Sequence, residues 1–415
     1  MKQYGLIGEK LGHSYSKVLH SFLADYSYDL WPMPKSSLAQ FMQAKEFAGI
    51  NVTIPYKRDV IPFLDEMGET AKRIGCVNTV VGREDGTLYG DNTDAYGFME
   101  MARRAGIDFS LGKTLVLGSG GTSLTACAVI REAGGEAIVV SRSGETRYED
   151  LGKHTDALFL VNTPPVGMYP HTDAAAVDLR ELPRLQGVLD VIYNPLKTRL
   201  LQQAEELGIA YAGGLCMLVY QAVRACELFT GEAVDPARIR RAERELMKSA
   251  MNLVIVGMPG CGKTTMGDIL ARLLELELID IDQEIAHDAG ISIPEIFQKE
   301  GEAGFRAREA AQIERYGREG GRILVTGGGA VKSPQNRENL SLNGFVVHIT
   351  RELDLLPMDG RPLSTSADAL RIMWVERAPM YHACADAVIS NNGRPDHCAQ
   401  AIKEAYHEAL CHQRT

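Results

Sequence analysis

Leu115-Val-Leu-Gly118-Ser-Gly120-Gly121-Thr-Ser-Leu-Thr-Ala126 and Val254-Ile-Val-Gly257-Met-Pro-Gly260-Cys261-Gly262-Lys263-Thr264-Thr265 are two different glycine-rich loops, each set between a short apolar strand and a helix. In the first, Gly118, Gly120 and Gly121 let the backbone approach a pyrophosphate, and the following helix offers free N–H groups and a positive dipole end. In the second, the Gly-x-x-x-x-Gly-Lys-Thr spacing cradles the β- and γ-phosphates of a nucleoside triphosphate. Its Lys263 reaches the phosphate oxygens, and Thr264 ligates Mg²⁺. Two such loops in one chain predict two nucleotide sites, hence two catalytic units.

Outward from these loops the pattern is α/β. From Gly112 strands and helices alternate: strands at 114–117, 137–140, 157–161 and 187–191, and a helix at 122–133. This is the pattern of a parallel, doubly wound sheet. Residues 214–229 and 235–247 read as helices, the second charged and amphipathic. Upstream, 11–23 reads as helical and 77–81 as a strand. A strand–loop–helix unit restarts at Asn252, which puts a boundary near 249–251 with no flexible linker. The expected units are 1–104 for substrate, 105–213 as a Rossmann-like nucleotide domain, and 251–415 as a P-loop domain of nucleoside-monophosphate-kinase type. The helices of about 214–248 are expected to pack back on the first unit.

At 415 residues the chain suits two or three cores. A net charge of −10 argues against broad nucleic-acid binding or attachment to an anionic membrane, and cations for anionic ligands must then be placed locally. The N-terminus has no apolar signal core, and no apolar run approaches spanning length. Eight cysteines without a CxxC pair or zinc-like spacing predict reduced thiols in the cytoplasm. Cys261 lies in the second loop, either as a small filler or, near a helix N-terminus, as an oxidisable thiol.

Around the first loop, the strand 137–140 ends in Ser141-Arg142-Ser143. An arginine flanked by hydroxyls stands where an acidic residue would hold a ribose diol, and it suits a 2′-phosphate. Three polar segments lie upstream: Gly8-Glu-Lys-Leu-Gly-His-Ser14-Tyr-Ser16, Asn51-Val-Thr53-Ile-Pro55-Tyr-Lys57, and Gly90-Asp91-Asn92-Thr93-Asp94. Each alone is an ordinary turn composition. Together they suit a small polyhydroxylated ligand, with Lys57 and Asp94 available for proton transfer.

With Val77-Asn78-Thr79, Asp190-Val-Ile-Tyr193-Asn-Pro195 and Gly214-Leu-Cys-Met217-Leu-Val-Tyr-Gln221, residues 4–231 resemble the shikimate dehydrogenases. That resemblance implies NADPH-dependent reduction of 3-dehydroshikimate. It implies that Ser14 and Ser16 bind the carboxylate and that Asn51, Thr53, Asn78, Asp94 and Gln221 bind hydroxyls. Tyr193 would lie beside the substrate, Lys57 would supply the proton, and Val191 and Gly214 would border the nicotinamide. Ser141-Arg142-Ser143 replaces the family's Asn-Arg-Thr, Lys17 replaces a proline, and Gly213 and Cys216 replace an aspartate and a glycine.

Around the second loop, Leu278-Ile-Asp280-Ile-Asp282 reads as a strand end with two carboxylates on one side, by period-two geometry. Arg306 sits on a helix, and Thr326-Gly327-Gly328-Gly329 offers a backbone surface to a flat ring. Arg361-Pro-Leu and Glu376-Arg377-Ala-Pro-Met-Tyr381 follow. Residues 252–401 resemble shikimate kinase. The resemblance implies that Asp282 orients or deprotonates the nucleophile, that Arg306 and Arg377 grip the carboxylate, and that Gly328 lies against the ring. Asp280 would support Mg²⁺, Arg361 would close on ATP, and the ATP loop would comprise Gly260, Cys261, Gly262, Lys263, Thr264 and Thr265. The segment 355–361 has one arginine where a second is often seen, and His382-Ala-Cys384 replaces a glutamate-rich turn.

The resulting expectation is a bifunctional enzyme acting on 3-dehydroshikimate and then shikimate, with NADP(H), ATP and Mg²⁺. The alternatives are a quinate/shikimate dehydrogenase of relaxed specificity fused to the kinase, or a fusion in which one half only senses ligand.

Overall fold

Three sheets organise the chain in the computed structural model, which describes residues 3–12, 14–356 and 367–411. The first is mixed. Its strands lie in the order Tyr28–Pro32, Tyr4–Gly8, Gly49–Val52, Thr79–Gly82, Leu88–Asp91, Glu66–Met67. Tyr4–Gly8 is parallel to both neighbours, and Thr79–Gly82 is antiparallel to both of its own.

The second sheet is wholly parallel, ordered Ala210–Gly213, Gly187–Asp190, Phe159–Asn162, Lys113–Leu117, Glu136–Val140. The strand order reverses between Lys113–Leu117 and Phe159–Asn162, and a crevice opens at their carboxyl ends. Gly118 and Thr163 face each other across it. The strand cores are apolar because helices cover both faces: Leu115, Val116, Leu117, Leu160 and Val161 are all buried.

The third sheet is also parallel, ordered Glu277–Asp280, Arg322–Val325, Asn252–Val256, Gly344–Thr350, Ala387–Ser390. The strand leading into the second glycine loop is thus central. Gly262 caps the helix Lys263–Leu274 at φ 96°, and a Cβ there would lie 2.5 Å from the Asn391 amide nitrogen. Only glycine meets both conditions.

Local boundaries differ from the sequence expectation in three places. The helix expected over 11–23 begins at Ser16, and ahead of it Ser14 N–H bonds back to Leu11 O rather than into a helix. The strand expected from Val77 pairs only from Thr79, while Val77 and Asn78 bond back to Lys57 O and Asp91 O. The strand expected to run through Asp282 ends at Asp280. That carboxylate instead caps the helix Ile281–Ala289, accepting from the N–H groups of Asp282 and Gln283. A free first turn recruits a side-chain acceptor more effectively than a continued strand would.

The helix Leu215–Thr230 packs on Asp94–Arg104, and Pro236–Ala250 packs on Ser16–Leu23 and on the last helix, Pro395–Cys411. Only Met251 separates Ala250 from the third sheet, and its carbonyl accepts from Tyr406 Oη at 3.1 Å. One hydrophobic cluster runs through this junction, from Leu246 and Met247 to Leu253, Phe345 and Leu410. Among the described residues, no helix is long and apolar enough to cross a membrane.

Candidate active sites

A cleft of about 450 Å³ opens between the first and second sheets. Its walls hold Ser14, Ser16, Asn51, Thr53, Lys57, Asn78, Asp94, Val191, Tyr193, Gly214 and Gln221, so every expected dehydrogenase substrate residue reaches one space. Lys57 Nζ lies 2.6 Å from Asp94 Oδ2. Burial pushes the Lys57 ammonium down, but the charge and hydrogen bond of Asp94 more than offset this and leave it raised.

The amide groups are held in fixed orientations. Asn51 Oδ1 accepts from Tyr28 Oη at 2.7 Å, and its Nδ2 donates to Thr79 Oγ1 at 3.0 Å. Asn78 Oδ1 accepts from Thr93 N–H at 2.7 Å. Gln221 Nε2 donates to Leu218 O at 2.9 Å, and Tyr193 meets Tyr15 edge-on. Opposite the polar wall, a Cβ on Gly214 would lie 2.1 Å from Val191 O, so that approach demands glycine.

A second cleft of about 360 Å³ adjoins the first and shares Thr122 with it. It gathers Gly118, Gly120, Gly121, Ser141, Arg142 and Ser143, with Ile54, Tyr148 and Thr163. Glycine loop and arginine therefore face one space.

The third cleft, about 510 Å³, lies over the carboxyl edge of the third sheet. It brings together Gly260, Gly262, Lys263, Thr264, Thr265, Asp280, Asp282, Arg306, Gly328 and Arg377. Lys263 Nζ is held by the carbonyls of Gly257 and Met258 at 2.9 and 3.0 Å. Thr264 Oγ1 donates to Asp280 Oδ2 at 3.1 Å. Burial and the Asp280 charge push the Asp282 carboxyl up, and its Oδ1 is buried without a hydrogen-bond partner. Such an oxygen suits an incoming donor. Cys261 does not line this cleft. It is fully buried, its N–H donates to Met258 O, and its sulfur packs toward Gly257, which suits the filler reading. Arg361 lies outside the described residues.

The comparisons match this geometry. The model of the shikimate dehydrogenase substrate binding domain matches residues 6–80, that of the shikimate 5′-dehydrogenase C-terminal domain 214–242, and that of shikimate kinase 259–407. A shikimate dehydrogenase (NADP(+)) of Clostridium perfringens is 37% identical over 268 residues, covering 59% of this chain and 98% of that enzyme. The chain belongs to the shikimate dehydrogenase family.

Among solved structures, a chorismate mutase/shikimate 5-dehydrogenase fusion from Clostridium acetobutylicum aligns with a TM-score of 0.56 and 32% identity. It covers 59% of this chain and 96% of that one. Shikimate 5-dehydrogenase of Thermus thermophilus in complex with NADP(H) and shikimate aligns with a TM-score of 0.54 and 33% identity, covering 59% and 99%. The shikimate 5′-dehydrogenase C-terminal match ends at residue 242, before the third sheet, and the shikimate kinase match follows it.

Two buried carboxylates escaped the sequence reading. In the kinase half Glu309 is fully buried, and its Oε2 lies 2.8 Å from Arg306. Burial pushes its carboxyl up, against the pull of Arg306. The i,i+3 spacing of Arg306 and Glu309 on one helix was the available signal. In the dehydrogenase half Asp190 is fully buried and accepts from Asn162, Ile192 N–H and Thr198. Burial pushes its carboxyl up to about 6. Asp190 opens a motif quoted for the resemblance, but nothing local in the sequence marked its burial or its partners.

Proposed function

We propose that the N-terminal half reduces 3-dehydroshikimate to shikimate and the C-terminal half phosphorylates shikimate to shikimate 3-phosphate. The observation supporting this most strongly is the convergence of each expected substrate set on a cleft that adjoins or contains its own glycine phosphate loop.

In the reduction, NADPH supplies the hydride when bound along Gly118–Gly121. Arg142 with Ser141 and Ser143 addresses the 2′-phosphate by charge-assisted hydrogen bonds. Ser14 and Ser16 hold the carboxylate. Asn51, Thr53, Asn78 and Gln221 hold the hydroxyls, in orientations fixed by their existing partners. As the ketone oxygen gains negative charge, Lys57 stabilises it and delivers a proton, and Asp94 keeps that ammonium charged beforehand.

In the phosphoryl transfer, Arg306 and Arg377 bind the carboxylate and the Gly328 backbone meets the ring. Asp282 accepts the hydroxyl hydrogen at its unpaired Oδ1. Lys263 leaves its two carbonyl partners for the phosphates. Thr264 and Asp280 are an oxygen set suited to Mg²⁺, a small hard ion that keeps several waters and needs few protein ligands. The ion, when bound, neutralises developing phosphate charge. We read the division of labour as residues 1–104 with 214–248 for dehydrogenase substrate, 105–213 for NADP and 251–415 for kinase.

Two initial-rate assays on the full chain test the reading: NADPH oxidation with 3-dehydroshikimate, and ADP release with shikimate. Turnover in both supports it. Turnover in only one would favour a sensing role for the other half, and comparable rates with quinate and NAD would favour the relaxed dehydrogenase.

A further inference from the structure

The segment joining Asp190 to the helix Arg199–Glu206 borders the dehydrogenase cleft through Val191 and Tyr193. Its inner side is fixed within the dehydrogenase half. Asp190 takes hydrogen bonds from Ile192 N–H and Thr198, and Ile192 O accepts from Gly214 N–H at 2.9 Å. Its outer side is fixed by the kinase half. Leu196 N–H donates to Asn343 Oδ1 at 2.9 Å, and Lys197 N–H donates to Leu342 O at 2.9 Å. One turn later Arg199, 7% exposed, donates to Asn339 Oδ1 at 2.9 Å and pairs with Glu338 at 3.1 Å.

Asn343 is itself held rigidly. Its Nδ2 donates to Gly317 O and Arg318 O, and its own carbonyl accepts from Asn252 N–H at the start of the central kinase strand. The loop beside the nicotinamide position is thus tied, three residues beyond Tyr193, to the sheet of the other enzyme. Removing the Asn343 acceptor leaves the N–H of this half-buried contact without its partner.

We propose that Asn343, a residue of the kinase half, is a positioning residue for the dehydrogenase reaction, holding Val191–Lys197 so that the nicotinamide and Tyr193 side of the cleft is set. This rests on the proposed placement of the nicotinamide beside Val191 and Gly214. The substrate's proposed polar contacts at Ser14, Ser16, Asn51, Lys57 and Asp94 come from other segments of the cleft lining, and only Tyr193 belongs to the loop. Loosening the loop therefore acts on cofactor alignment more than on substrate affinity.

The test is steady-state kinetics of both reactions on full-length wild type, Asn343→Leu and Asn339→Ala. Asn343→Leu keeps the volume but loses the acceptor. Asn339→Ala removes the neighbouring bond from Arg199, one turn further along the same tether, without touching the Gly317 and Arg318 carbonyls, so it serves if the first variant folds poorly. Expected results are a KM for NADPH raised about 5-fold and a lowered dehydrogenase kcat in Asn343→Leu, with a smaller shift the same way in Asn339→Ala. The KM for 3-dehydroshikimate stays within about 2-fold in both, and the kinase constants of Asn339→Ala stay at wild-type values. General loosening of the fold would instead raise both dehydrogenase KM values together and overturn the proposal. Unchanged dehydrogenase constants in either folded variant would also overturn it. A wild type unable to oxidise NADPH with 3-dehydroshikimate would instead refute the reading on which it rests.

Discussion

The dehydrogenase and kinase clefts address the same carbon ring with opposite proton chemistry, and their charges are arranged accordingly. In the dehydrogenase cleft an ammonium is paired with one carboxylate at 2.6 Å, so the cation stays protonated and ready to give. In the kinase cleft a carboxylate stands near another carboxylate with one oxygen unbonded, so it is ready to receive. On the proposed reading the carboxylate of the ligand is also met differently, by neutral serine hydroxyls in one and by arginines in the other. Arginine suits the kinase because a fork-shaped cation offsets the negative charge that Asp280, Asp282 and Glu309 concentrate there. The chemistry of each step, more than the shape of the ring, decides which groups surround it.

The largest effects break the comparison at its two proton-handling groups. Lys57→Ala lowers dehydrogenase kcat by roughly 10²- to 10⁴-fold and leaves kinase rates intact, and Asp282→Asn does the reverse. Separate initial rates on each variant check this; a loss of both activities in either would deny that the clefts act independently. Arg142→Ala comes next. It raises the KM for NADPH about 10- to 100-fold, in keeping with loss of charged hydrogen bonds of about 1.5–3 kcal/mol, and leaves the KM for NADH nearly unchanged. Equal effects on both cofactors would remove Arg142 from the 2′-phosphate.

Glu309→Gln sharpens the comparison by removing the brace of Arg306 while keeping its shape. The KM for shikimate rises about 10-fold, with the KM for ATP steady, as expected for a loss of about 1.4 kcal/mol from one oriented cation. An effect on ATP instead would place Glu309 in the phosphate chemistry.

The smallest effect on turnover concerns His348. It is fully buried, stacks on Tyr381 at 4.8 Å, and neither ring nitrogen has a hydrogen-bond partner. Burial, with the nearby His382 and Lys263 charges, lowers it to about 4. A depressed histidine means that the unfolded chain binds the proton first as pH falls. Its stabilisation is therefore present above about pH 6.5 and is lost as pH drops towards 4, amounting to about 3 kcal/mol. His348→Phe flattens that slope, readable as melting temperature against pH. An identical slope in the variant would show that His348 is not its source.

Much of this was legible beforehand because short motifs carry backbone geometry with them. Both glycine loops, Lys57 with Asp94, and Arg306 with Arg377 stand in the clefts that their motifs implied. What escaped depends on the third dimension. Asp280 reads as strand alternation, and it is a helix cap because the chain turns two residues earlier than the period suggests. Glu309 was visible as a helical neighbour of Arg306, but its burial was not. Asp190 gathers partners from 8 and 28 residues away, and Leu196 meets Asn343 across 147 residues. No periodicity encodes such contacts; they arise from how sheets and helices stack.

The most direct test of the central claim is one reaction containing 3-dehydroshikimate, NADPH, ATP and Mg²⁺, followed on wild type, Lys57→Ala and Lys263→Ala. The account predicts shikimate 3-phosphate from wild type, unreacted 3-dehydroshikimate from Lys57→Ala, and accumulated shikimate from Lys263→Ala. A wild type that makes no phosphorylated product, or a Lys263→Ala variant that still makes it at the wild-type rate, would contradict it.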